Sequence, residues 1–195
     1  MGKVIGPPIK KSDKEWILQQ HLFFHATSPL SAKHHVNLSP KCSREFRIID
    51  DHTVGWVDLT GSGSETAAHI MENGRLTILF VALKGSPRIV RLHGKGRIIL
   101  PSDFNQQQNA HIIKHFEGFL QSGISGLIGV RSIIILDVER ASQSCGYSIP
   151  IFDFVSDRTT LDDVTAAKGC DGMREYRMLK NSFSIDGLPS IAQLE

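Results

Sequence analysis

Residues 76–100 read LTILFVALKGSPRIVRLHGKGRIIL. The first eight carry apolar side chains toward both faces, which predicts a central strand covered on both sides. KGSP at 84–87 is a turn. The run from Arg88 to Leu100 then alternates over a long stretch. Val90, Leu92, Ile98 and Leu100 fall on one side, and Arg91, His93, Lys95 and Arg97 on the other. Gly94 and Gly96 lie on the apolar side, where a missing side chain marks a bulge or a bend of the kind a closing barrel needs.

The flanking segments extend this β pattern. LFFHAT (22–27) and HHVNLSP (34–40) read as strands, and EFRII and TVGWVDL, separated by DDH, as a hairpin. Another long strand is expected within 127–140, around VRSIIILDVE. Helical signals are peripheral. Ser12 and Glu15 form a capping-box pattern ahead of a short helix ending near His21. ETAAHIME, with a serine cap and closed by Asn73-Gly74, is a second. Residues 105–120 place Ile112, Ile113, Phe116, Phe119 and Leu120 at helical spacing. Thr159 or Thr160 caps TLDDVTAAKG, and GMREYRMLK follows, ending near Asn181. Six or seven strands follow one another without βαβ alternation, so the fold class is mainly β with peripheral helices (α+β): an antiparallel barrel. Residues 1–155 form the barrel with its N-terminal helix, and 156–195 a C-terminal helical extension and tail on the same domain.

Composition narrows the function classes. The chain has 195 residues, 41% hydrophobic and 22% charged, with 22 Lys+Arg against 20 Asp+Glu. A near-neutral balance argues against nucleic acid or an anionic membrane as partner. The longest apolar stretches fall far short of the roughly 20 residues a membrane helix needs. Three cysteines, Cys42, Cys145 and Cys170, show no CxxC spacing, which favours a reducing compartment. The expected localisation is cytoplasmic, with nuclear entry left open. Apolar side chains on the long strands exceed what one small core uses, which predicts a symmetric homodimer.

Two segments carry site chemistry. Loop 60–66, Thr60-Gly61-Ser62-Gly63-Ser64-Glu65-Thr66, follows a strand and opens a helix. Small residues let backbone N–H groups approach a ligand, and a helix N-terminus favours an anion. The same residues also read as a capped strand-to-helix loop. There is no Walker lysine and no GxGxxG in a βαβ unit. Asn37, Ser39 and Lys41 form a polar row on one side of their strand, with a solvated face as the alternative. Lysine is a point-charge binder of phosphate or of an electron-rich ring edge. Arg88 or Arg91 is expected to bring positive charge to the loop, with Glu65 pointing away. His111 and His115 have HxxxH spacing but lack the glutamate of HExxH and a third ligand, so no metal is expected. Cys145 reads as a packed residue, and no G-x-S-x-G element supports a hydrolase.

HHVNLSPKC (34–42), VDLTGSGSETAAHIMENGRLTILF (57–80) and GSPRIVRLHGKGRI (85–98) together resemble the pyridoxamine 5′-phosphate oxidase-like FMN-binding split barrels. SCGYSIP (144–150) and KNSFSIDGLP (180–189) extend the likeness toward the branch called pyridoxamine phosphate oxidase-related. The resemblance implies a six-stranded split barrel, a homodimer, and FMN between the subunits. By it, Asn37, Ser39 and Lys41 face the flavin ring or ribityl chain. Thr60, Gly61, Ser62 and Ser64 lie toward the phosphate; the loop's hydroxyl pattern adds Thr66, and the missing charge adds Arg88 and Arg91, as further cofactor-binding candidates. The chain departs from the family pattern in four places. Glu65-Thr66 stand where the oxidases carry an Arg-Lys pair, and Val36-Asn37 where their strand motif begins with arginine. Ile89 replaces a glutamine, and the C-terminal Trp…Arg signature is absent. The function implied is a flavin-dependent oxidoreductase acting on an unknown small molecule, with a non-enzymatic dimeric flavin- or phospholigand-binding module as the alternative. No catalytic residue is named.

Overall fold

A computed structural model describes residues 2–121 and 128–193. Its strands are β1 (Lys3–Gly6), β2 (Leu22–Thr27), β3 (Asn37–Cys42), β4 (Phe46–Ile48), β5 (Thr53–Leu59), β6 (Arg75–Val81), β7 (Ile89–Ile99) and β8 (Val130–Ser144). The helices are α1 (Lys11–Leu18), α2 (Glu65–Asn73), the short α3 (Ala110–Ile113) and α4 (Glu117–Leu120), and α5 (Thr160–Lys180). All strands join one antiparallel sheet in the order β3-β2-β6-β7-β8-β5-β4, and β1 adds to β8.

The sheet curls strongly into a half-barrel. Phe23 on β2 meets Phe46 on β4 at 5.3 Å and Trp56 on β5 at 5.5 Å between ring centroids. Strands far apart along the sheet therefore share one interior. That interior holds Phe23, Trp56, Ile78, Phe80, Leu92 and Ile134. A second apolar cluster lies on the other side of β5 and β8, where Val57, Ile133 and Ile135 pack against Ile112, Phe116 and Phe119. Two-sided burial explains why both strands are apolar at successive positions.

The bulge expected at the glycines is present. His93 pairs with Arg140 and Gly94 with Val138, so β8 carries an extra residue. A Cβ on Gly94 would stand 2.0 Å from the Asp137 carbonyl oxygen, so only glycine lets the strands approach. Gly74 ends α2 in the left-handed region at φ 70°.

Other expectations are corrected. Ser12 lies inside α1, which starts at Lys11 without a side-chain cap. β3 begins only at Asn37, so His34 and His35 precede it. Residues 105–120 do not form one helix. A 3₁₀ turn, α3 and α4 follow in sequence, while Ile112, Phe116 and Phe119 are still buried. β8 begins at Val130, and Leu127 lies outside the described residues. α5 breaks at Gly169, φ 64°, into the two helices expected. Thr159 flanks α5 without capping a backbone N–H. Among the described residues, no helix is long and apolar enough to cross a membrane.

Candidate functional site

β3 is an edge strand whose alternation sets its faces. Asn37, Ser39 and Lys41 turn inward, half-buried, while Val36 and Leu38 are exposed. The polar row faces in because the interior there is polar. Asn37 Nδ2 donates to Thr27 Oγ1 at 3.2 Å and to Thr66 Oγ1 at 2.9 Å. Ser39 Oγ donates to Asn37 Oδ1 at 3.0 Å. His25 Nε2 lies 2.7 Å from Thr66 Oγ1, and His69 Nδ1 lies 3.0 Å from Thr27 Oγ1. The row is thus tied to α2 through hydroxyls shared by two buried histidines. Burial, helped by Lys41 and Arg131 against the opposing pull of Asp58, lowers His25 to about 3. Burial also lowers His69. Both rings stay neutral near neutral pH.

Lys41 reaches across the half-barrel to β5, with Nζ 3.4 Å from Asp58 Oδ1. Asp58 is buried and also accepts from Arg131 Nε at 2.6 Å and Nη2 at 3.3 Å. Burial alone would raise the Asp58 carboxyl, but Arg131 and Lys41 overcome it and hold it near 2. Arg131 Nη1 continues to the Gly63 carbonyl at 2.8 Å. A continuous chain, Lys41–Asp58–Arg131–Gly63, therefore joins the β3 row to loop 60–66.

The loop itself is occupied by its own fold. Thr60 donates through N–H and Oγ1 to the Gly129 carbonyl. Ser64 does not cap α2, because its hydroxyl donates to the Phe183 carbonyl at 2.9 Å. Asn181 Nδ2 donates to the Gly61 carbonyl at 2.9 Å, and Ser190 Oγ to the Ser64 carbonyl at 3.0 Å. Glu65 accepts from the Ile185 N–H at 3.3 Å. Farther along, His35 binds Asp186 through both its backbone N–H and its ring, each at 2.8 Å. The segment from Asn181 to Ser190 thus straps the loop and the start of α2. Gly61, Ser62 and Gly63 keep open surface.

The structure brings Asn37, Ser39, Lys41, Thr60, Gly61, Ser62, Ser64 and Thr66 into one region, but not Arg88 or Arg91. Arg88 binds Asp13 and Gln143 and lies over the Trp16 ring at 4.7 Å. Arg91 Nη1 donates to Ser144 Oγ at 3.1 Å. Both sit at the end of β8 opposite Gly129 and the loop. The cation at the loop is instead Arg131, with Arg177 Nη1 3.4 Å from Thr60 Oγ1. The sequence signal for Asp58 and Arg131 was a single charge inside each apolar run, WVDL and VRSIII, which demands a partner.

An open groove of about 1030 Å³ lies elsewhere. It runs between α1, the end of β6 and the segment carrying Phe154, which stacks on His21 at 3.8 Å. Its Lys84–Asp153 pair is exposed, and none of the sequence-selected site residues lines it. Among the described residues, no cluster of three or more His, Cys, Asp or Glu is placed to hold a metal.

No protein-family profile matches the chain. The chain is 34% identical to the pyridoxamine 5′-phosphate oxidase family protein ustO of Aspergillus flavus, over 91% of this chain and 74% of that protein. Among solved structures, tagged HupZ of Group A Streptococcus is 27% identical with a TM-score of 0.50, over 68% of this chain and 91% of that one. A candidate pyridoxamine 5′-phosphate oxidase from Lactobacillus delbrueckii shares the fold at 12% identity, with a TM-score of 0.50 over 72% and 98% of the two chains. With 34% identity to the Aspergillus flavus protein over most of both chains, and a curled antiparallel half-barrel sheet, the chain belongs to the pyridoxamine 5′-phosphate oxidase family.

Proposed function

We propose that this protein binds a flavin along the β3 row and loop 60–66 and works as a flavin-dependent oxidoreductase on a small molecule. The observation that carries this reading is Lys41. Its side chain is 28% exposed, and a buried carboxylate holds it beside the loop. One contact to Asp58 leaves the ammonium with donors for an electron-rich ring edge. A bound flavin would supply hydride or electron transfer, while the protein supplies position, polar contacts and exclusion of water. Asn37 spends its amide donors on Thr27 and Thr66, and Ser39 its hydroxyl on Asn37. They fix the wall of the site, and Lys41 makes the charged contact.

The ring end of a flavin fits these residues. The loop end suits a phosphate less well: Arg131 is paired with Asp58, and the first residue of α2 is itself a carboxylate. A symmetric homodimer remains part of the proposal. Val36 just before β3, Leu38 on it, and Phe183 and Ile185 on the strap, are exposed apolar side chains that a second copy would cover. The test is the visible spectrum of the purified protein after incubation with excess flavin and gel filtration. Retained flavin with perturbed absorption bands supports the reading. A colourless protein that cannot be reconstituted overturns it.

A further inference from the structure

On the flavin reading above, we infer that Glu65 is a specificity-determining residue. It makes the loop end of the site select a ligand ending in hydroxyls, a riboflavin-like flavin, over one ending in a phosphate. A strand-to-helix loop becomes an anion site by presenting uncommitted N–H and O–H donors and positive charge. Here three of the loop's four hydroxyls are committed elsewhere. Thr60 Oγ1 donates to Gly129 at 3.0 Å and Ser64 Oγ to Phe183 at 2.9 Å. Thr66 Oγ1 lies within the His25 and Asn37 network. The charge of Arg131 is spent as well, since it answers Asp58 and binds the Gly63 carbonyl.

Glu65 then supplies the negative charge that a helix N-terminus favours. One carboxylate oxygen accepts from Ile185 N–H. The other lies 2.9 Å from where a Cβ on Gly63 would stand, so it lies against the loop. Beside it the space over Gly61 is open, with nothing within 4 Å of an added Cβ. Asn181 Oδ1, buried next to the Gly61 and Ser62 carbonyls, has no hydrogen-bond partner. Two acceptors, the buried Asn181 Oδ1 and the Glu65 carboxylate, therefore stand at this end. Acceptors want donors: a polyol chain offers O–H groups, whereas a phosphate dianion offers only more acceptors and two charges facing a carboxylate.

The experiment is a pair of fluorescence-quenching titrations, riboflavin and FMN, on the full chain and on Glu65→Gln and Glu65→Lys. Thermal unfolding checks that each variant is folded. The native chain is expected to bind riboflavin about tenfold or more tighter than FMN, with the gap narrowing as salt is added. Glu65→Gln is expected to close the gap and Glu65→Lys to reverse it. FMN binding as tightly as riboflavin to the native chain overturns the inference, as does a preference unchanged in Glu65→Gln. If a variant does not fold, the native ratio and its salt dependence decide. If neither flavin binds the native chain, the flavin reading itself falls and takes this inference with it.

Discussion

Lys41 Nζ stands 3.4 Å from Asp58 Oδ1 although β3 and β5 lie five strands apart along the sheet. The contact exists because the sheet curls until its two ends face one another, and it sits where the barrel interior changes from apolar to polar. On one side lie Trp56 and Phe23. On the other lie His25, Thr27, Thr66 and the loop. Asp58 also holds Arg131, so one buried carboxylate orients two cations, one along each arm of the site.

Removing that carboxylate should be costly. Asp58→Asn leaves Arg131, only 4% exposed, without its counter-charge, and is expected to lower stability by about 3–5 kcal/mol. Arg131→Met should cost a similar amount. The double variant should cost less than the two singles together, because it leaves no buried charge unpaired. Urea unfolding of the four proteins measures this, and strict additivity would show that the two residues act independently.

Acid should destabilise the protein in two windows. His25 ordinarily titrates near 6.5 but is held to about 3 in the fold. Between those values the unfolded chain takes up a proton that the native state refuses. Stability therefore falls as pH drops from about 6.5 toward 3, by up to about 4–5 kcal/mol. Asp58 behaves as a depressed acid: its contribution is full above 3.8 and is lost as pH falls toward 2. In His25→Gln the loss of stability between pH 7 and pH 4 should shrink by at least about 2 kcal/mol. An unchanged loss would place the acid sensitivity elsewhere.

Arg88 should matter to stability and not to flavin. It closes α1 onto the end of β8 through Asp13, Gln143 and the Trp16 ring. Arg88→Ala leaves Asp13 buried and unpaired, with an expected cost of about 2–3 kcal/mol. Flavin affinity, compared below the unfolding range, should be unchanged. A loss of affinity matching that of a Lys41 variant would return Arg88 to the site.

The strand pattern was legible wherever it depended on neighbours in sequence. Period-two alternation exposed the Asn37, Ser39 and Lys41 row, and the missing side chain at Gly94 marked the bulge. Alternation shows two faces but not which one turns inward. Val36 and Leu38 ended up outside because Asp58 and His25, distant in sequence, make that part of the interior polar. Spacing in 105–120 correctly marked Ile112, Phe116 and Phe119 for burial. It did not show that the backbone between them breaks, since a turn can deliver the same side chains. The Asp58–Arg131 pair spans 73 residues, and the strap reaches the loop from about 120 residues away. Contacts of that range are set by the curl of the whole sheet, so no local pattern announces them.

Lys41 gives the most direct test of the account. Equilibrium dialysis against riboflavin, run on the native chain and on Lys41→Ala, measures both binding and its dependence on the β3 row. The account predicts saturable retention of one flavin per chain, weakened by about 1.5–3 kcal/mol, or more than tenfold, in Lys41→Ala. Absence of retention by the native chain, or equal retention by both proteins, would contradict it.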